Sequence, residues 1–203
     1  MAVSHHIHKG AEKIADLNVI IVLDMSLSLR GQRIGSLYTG TLEFLESMED
    51  YCDRTGRDVS GDILLMGIGD EGDECEWLCG DMVSMEEIHD TIEREFLPNG
   101  HTVILKAIES AGQRIIDSRL PQSRTAVIFI TDGEFGFVTK EEAEEAILGN
   151  MDSCSRMALL VGHAYDEDVV RAIVSDEEWI FHIYSSNALF NCLSEIMDGR
   201  ERF

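Results

Sequence analysis

The chain has 203 residues, 44% of them apolar, which is enough for one domain with a substantial buried core. Its 16 basic and 39 acidic residues give a formal net charge of -23, which repels nucleic-acid phosphates and anionic membrane surfaces and argues against both as partners. No stretch is long and apolar enough to span a bilayer, and five cysteines without framework spacing or a secretory leader point to reduced thiols and a cytoplasmic location.

Residues 1–17, which include His5, His6 and His8, read as an extension ahead of a single domain over 18–203. Asn18–Leu23 (NVIIVL) is apolar without alternation, as a central parallel strand covered on both faces would be. Ile34, Leu37, Tyr38, Leu42, Leu45 and Met48 then recur at helical spacing and line one face of an amphipathic helix. A second strand is predicted over Gly61–Gly69, followed by an acidic turn over Asp70–Glu74. Cys75–Asp81 reads as a short edge strand returning antiparallel, with Cys75 and Cys79 on the same side and at most half of a zinc site.

A weaker helical pattern covers Ser84–Phe96, and Ile104, Ile108, Ala111 and Ile115 mark a second strong amphipathic helix. Thr125–Thr131, Arg156–Gly162 and Trp179–Tyr184 are further strands, alternating with helices over Thr139–Leu148, Asp166–Val174 and Ala188–Met197. The alternation predicts a doubly wound α/β fold. Its central sheet is mostly parallel, with one short antiparallel edge strand and helices on both faces.

In such sheets ligands gather where loops leave the carboxyl ends of the strands. The first strand ends in Asp24-Met25-Ser26-Leu27-Ser28, and Thr125–Thr131 runs into Asp132-Gly133-Glu134. Between them in sequence, Thr102 stands at the start of the second amphipathic helix. Carboxylate and hydroxyl oxygens suit Mg²⁺ or Mn²⁺, small hard ions that take compact oxygen donors in near-octahedral array and keep some waters. Two carboxylates and three hydroxyls around a divalent ion are roughly neutral and leave a coordination position for an external anion.

These pieces resemble the metal-ion-dependent adhesion site of the von Willebrand factor A domain, which combines Asp-x-Ser-x-Ser with a distant threonine and a strand-terminal Thr-Asp-Gly. The resemblance covers Asn18 to Met197 and implies that Asp24, Ser26, Ser28, Thr102 and Asp132 hold the ion. It further implies that the hydroxyls ligate directly or through water, the aspartates anchor coordinated waters, and an Asp or Glu of a protein partner completes the shell. The implied activity is non-catalytic interaction. Among branches of the family, the chain looks most like the bacterial stand-alone domains linked to tellurium resistance and stress response. It departs from the usual pattern in having Met25 and Leu27 between the ligands and His101 directly before the threonine.

Each of the five residues also has an ordinary structural use, in a turn, a loop or a helix cap. A rival reading makes Asp24 the nucleophile of a metal-dependent phosphate-ester hydrolase. It lacks a general acid, because Ser26 stands where such enzymes carry a second aspartate. A Ser26, His101, Asp132 triad has no Gly-x-Ser-x-Gly elbow to present its serine.

Overall fold

The computed structural model describes residues 15–29, 31–68, 71–92, 100–162 and 164–182. The expected helix over Ala188–Met197, Cys192 and the histidines of the amino-terminal extension lie outside the described residues.

β1 (Leu17–Asp24) is buried along its whole length. Leu17, Val19, Ile21 and Leu23 point to one face of the sheet, and Ile20 and Val22 point to the other. A strand with two apolar faces needs a cover on each side, and the helices divide accordingly. On the first face α1 (Gln32–Thr55) and α2 (Met85–Ile92) bring Leu37, Phe44, Leu45, Met48, Ile88 and Ile92. On the second, α3 (Ile104–Asp117), α4 (Lys140–Asn150) and α5 (Glu167–Ile173) bring Ile104, Ile108, Ile115, Ile147, Val170 and Ile173.

The remaining strands are β2 (Val59–Ile68), β3 (Glu74–Trp77), β4 (Val83–Ser84), β5 (Thr125–Thr131), β6 (Ser155–Leu160) and β7 (Ile180–His182). They lie in the order β3-β2-β1-β5-β6-β7, with β4 also paired to β2. β1, β2, β5, β6 and β7 run parallel, and β3 and β4 run antiparallel to β2. β1 leads through α1 to β2 on one side, whereas the chain returns through α3 to β5 on the other. The switch point of the doubly wound sheet therefore lies between the carboxyl ends of β1 and β5, where a crevice forms.

The expected short antiparallel edge strand is present as β3, and Val83–Ser84 adds a two-residue piece that also returns to pair with β2 at Ser60 and Gly61. The structure corrects one expectation at this edge. Cys75 and Cys79 do not share a side: Cys75 packs toward the α3 face, and Cys79 packs toward the α1 face. β3 ends at Trp77, so its alternation does not extend to Cys79, whose backbone N–H instead donates to buried Asp62 at 3.0 Å. Burial pushes both thiols up to about 11, which keeps them protonated.

α4 shows how local sequence sets a helix start. Thr139 accepts from the Glu142 backbone at 3.3 Å, and the Glu142 carboxylate accepts from the Thr139 N–H at 2.8 Å, a reciprocal cap. Thr139→Ala is expected to lower stability by about 1 kcal/mol, measured by urea unfolding at unchanged m-value.

Candidate metal site

The five residues expected at the site come together at the switch point, on three loops. β1 and β5 are direct neighbours, with Leu23 opposite Ile130, so Asp24 and the Thr131–Asp132 pair end side by side. The third loop is tied to the first by a parallel bridge between Ser26 and Gly100 and by the Leu27 N–H donating to the Gly100 carbonyl at 2.8 Å. This connection carries Thr102 to the serines. It requires glycine: a Cβ on Gly100 would lie 1.8 Å from the Gly67 carbonyl oxygen and 2.5 Å from that of Gly72. Gly67 itself has φ +80°, the left-handed region glycine favours, and closes against His101.

Asp24 is fully buried, and both its oxygens are held. Oδ1 accepts from the Ser26 N–H at 2.9 Å, and Oδ2 accepts from the Thr131 hydroxyl at 2.6 Å. The Thr131 oxygen in turn accepts from the Gly133 N–H at 2.9 Å, so this threonine locks the ends of β1 and β5 together. Burial pushes the Asp24 carboxyl up to about 6, with the charge of Asp132 adding to the rise and the Thr131 and Ser26 hydrogen bonds opposing it.

Asp132 is equally buried, its Oδ1 accepting from the Glu134 N–H at 3.1 Å. The Ser26 and Ser28 hydroxyls are in contact at 2.8 Å. Thr102 does not cap its helix: α3 begins at Ile104 with Val103 at the cap position and no side-chain cap hydrogen bond. The structural role open to Thr102 from sequence is therefore not the one it has.

Beside these groups opens a cleft of about 660 Å³, lined by Ser26, Ser28 and Thr102 on one side and Glu134, Phe135 and Phe137 on the other. Asp24 and Asp132 are buried at the adjoining strand ends and do not themselves line the cleft. Of the apolar departures, Met25 turns into the core, whereas Leu27 lies on the rim together with the fully exposed Phe137. His101 is exposed on the cleft wall.

Among the described residues no group of three or more His, Cys, Asp or Glu side chains is gathered to hold an ion. A cation here must draw on hydroxyls as well as carboxylates. Hard hydroxyl oxygens beside two neighbouring buried carboxylates fit a small divalent ion, whose charge would offset the burial that chiefly raises Asp24 and the smaller contribution from Asp132. The arrangement does not fit a carboxylate nucleophile, because Asp24 has no exposed surface and both its oxygens are engaged.

One residue at the site has no counterpart in the sequence reading, and Glu134, read there only as part of the strand-terminal run, proves to be its partner. Arg33, at the start of α1, donates from Nη1 to Glu134 Oε1 at 2.8 Å, to Asp132 Oδ2 at 3.2 Å and to the Ser28 carbonyl at 3.4 Å. The available signal was a cation in the first turn of a helix that has no acid there, where the dipole disfavours positive charge unless outside anions hold it. Glu134 is its half-exposed partner.

No protein-family model and no curated protein sequence matches the chain. Solved structures do. A von Willebrand factor type A protein from Catenulispora acidiphila superposes with a TM-score of 0.68 at 14% identity, over 90% of this chain and 43% of that one. Proximal thread matrix protein 1 from the mussel byssus, in a structure with a zinc-occupied MIDAS motif, gives 0.59 at 21% identity over 92% and 46%. The pilus adhesin SpaC from Lactobacillus rhamnosus GG gives 0.58 at 15% identity over 90% and 29%. The chain thus spans less than half the length of each of these proteins. Among the described residues no helix is long and apolar enough to cross a membrane. The chain has the fold of the von Willebrand factor A domains.

Proposed function

We propose that the chain is a non-catalytic protein-interaction module that binds Mg²⁺ or Mn²⁺ through Asp24, Ser26, Ser28, Thr102 and Asp132. A carboxylate of a protein partner completes the coordination. The observation that carries this reading is the grouping at the switch point: buried, hydrogen-bonded Asp24 and Asp132 end neighbouring strands beside an open cleft lined by Ser26, Ser28 and Thr102. A zinc-occupied site of this type in the byssus protein supports it by analogy. A cytoplasmic setting belongs to the same reading and rests on free Cys52, Cys75, Cys79 and Cys154. The link to tellurium resistance and stress response rests on the sequence resemblance alone.

Thermal unfolding tests the ion. Mg²⁺ or Mn²⁺ is expected to raise Tm relative to chelator, since a ligand bound only by the native state stabilises it by mass action. Ser26→Ala with Ser28→Ala should abolish the rise, and an equal rise in the double variant would defeat the assignment.

The apolar rim gives the partner surface. Leu27 and Phe137 are two of the large apolar side chains that stand exposed, and both border the cleft. For a partner retained with Mg²⁺ and released by chelator, Phe137→Ala is expected to weaken binding about tenfold or more by surface plasmon resonance. The same substitution should leave the Mn²⁺ affinity of the free protein unchanged within about twofold.

A further inference from the structure

The Asp132 carboxylate already holds a cation, the guanidinium of Arg33. Asp132 has no exposed side-chain surface, its Oδ1 is held by the Glu134 backbone, and its Oδ2 receives Arg33 Nη1 at 3.2 Å. The same Nη1 reaches the Ser28 carbonyl and Glu134, so one nitrogen sits amid three oxygens at the edge of the proposed coordination site. Arg33 is only partly buried and extends from the first turn of α1 on a flexible stem, with Glu134 further out on the same loop as Asp132.

We infer that Arg33 is a tethered counter-cation that neutralises Asp132 in the ion-free protein and must withdraw before a divalent ion can use that carboxylate. The inference rests on the metal reading above. A guanidinium and a divalent ion sharing one buried carboxylate repel each other, so the two are mutually exclusive ligands of Asp132 and are negatively coupled. Glu134 offers the departing side chain an anchor at the cleft mouth, because its 2.8 Å bond to Nη1 does not require Asp132. The consequence is a threshold. The site stays electrically satisfied when divalent ions are scarce, and it gives up affinity in return.

The test is a Mn²⁺ titration followed by the EPR signal of the free aquo ion, at one fixed ionic strength. Arg33→Ala and Arg33→Gln are expected to bind Mn²⁺ about tenfold more tightly than the wild type, with Arg33→Lys in between. Two variants are used because glutamine keeps hydrogen-bonding capacity if alanine disturbs the start of α1.

Arg124, exposed just before β5 at the opposite end of the sheet, serves as the control for simply making an acidic protein more acidic. Arg124→Ala should change the affinity less than about twofold. Unchanged or weaker binding in the Arg33 variants, with the wild type still binding one ion, would overturn the inference and leave the metal reading intact. Equal tightening in Arg124→Ala would also overturn it, by tracing the effect to overall charge. Absence of binding in the wild type and the Arg33 variants alike would overturn both readings together.

Discussion

Gly100→Ala is expected to be the most damaging single substitution at the site, although it adds one methyl group. The added Cβ would lie 1.8 Å from the Gly67 carbonyl oxygen and 2.5 Å from the Gly72 oxygen, and both obstacles are backbone. No rotamer change relieves such a contact, so the loop must leave the ends of β1 and β2. The Ser26–Gly100 bridge and the Leu27–Gly100 hydrogen bond go with it. Overpacking of this kind costs about 1–3 kcal/mol where neighbours can yield and more where they cannot, which places the loss on the order of 3 kcal/mol. For a chain of this size that corresponds to a fall in Tm of roughly 6–12 °C. The response to Mn²⁺ should fall as well, because Thr102 is carried by the displaced loop. Calorimetry with chelator and with Mn²⁺ checks both effects.

Asp24→Asn should separate stability from ion binding. In the ion-free protein Asp24 is ionised at neutral pH against the effect of its own burial, its pKa standing near 6 against an ordinary 3.8. That difference of about 2 units, at about 1.4 kcal/mol each, is a cost on the order of 3 kcal/mol that asparagine does not carry. The gain is partly offset. The asparagine amide donates where Thr131 now donates, leaving the threonine hydroxyl to seek another acceptor.

The expected result is a Tm in chelator at pH 7.5 equal to or above the wild type's, with the rise in Mg²⁺ or Mn²⁺ abolished. The sign of the pH dependence follows from the raised pKa. The Asp24 contribution to stability is fully present below pH 3.8 and is lost as pH rises through about 6, so the advantage of Asp24→Asn over wild type should grow across that window. A variant strongly destabilised at pH 7.5 would show that the Asp24 charge is compensated in the ion-free state.

The strands were legible because parallel strands buried on both faces are written as continuous apolar runs, and β5 occupies Thr125–Thr131 as expected. β4 was not, since Val83 and Ser84 are too few to show a period, and Cys79 was misassigned because alternation was extended beyond the end of β3. The candidate ligands were found because an α/β sheet collects its loops at the strand ends, a rule that needs only the order of the elements. The role of Thr131 lay inside a recognised motif, but its function as the tie to Asp24 depends on β1 and β5 being neighbours. Arg33 reaches Asp132 across 99 positions of sequence, and no local pattern announces such a pairing.

The direct measurement is anomalous diffraction from crystals of the wild-type protein grown with Mn²⁺. A divalent ion held as proposed gives one strong peak within coordination distance of the Ser26, Ser28 and Thr102 hydroxyls, beside Asp24 and Asp132, with Arg33 withdrawn from Asp132. The absence of a peak there at saturating Mn²⁺, or a peak only in the acidic turn after β2, would contradict it.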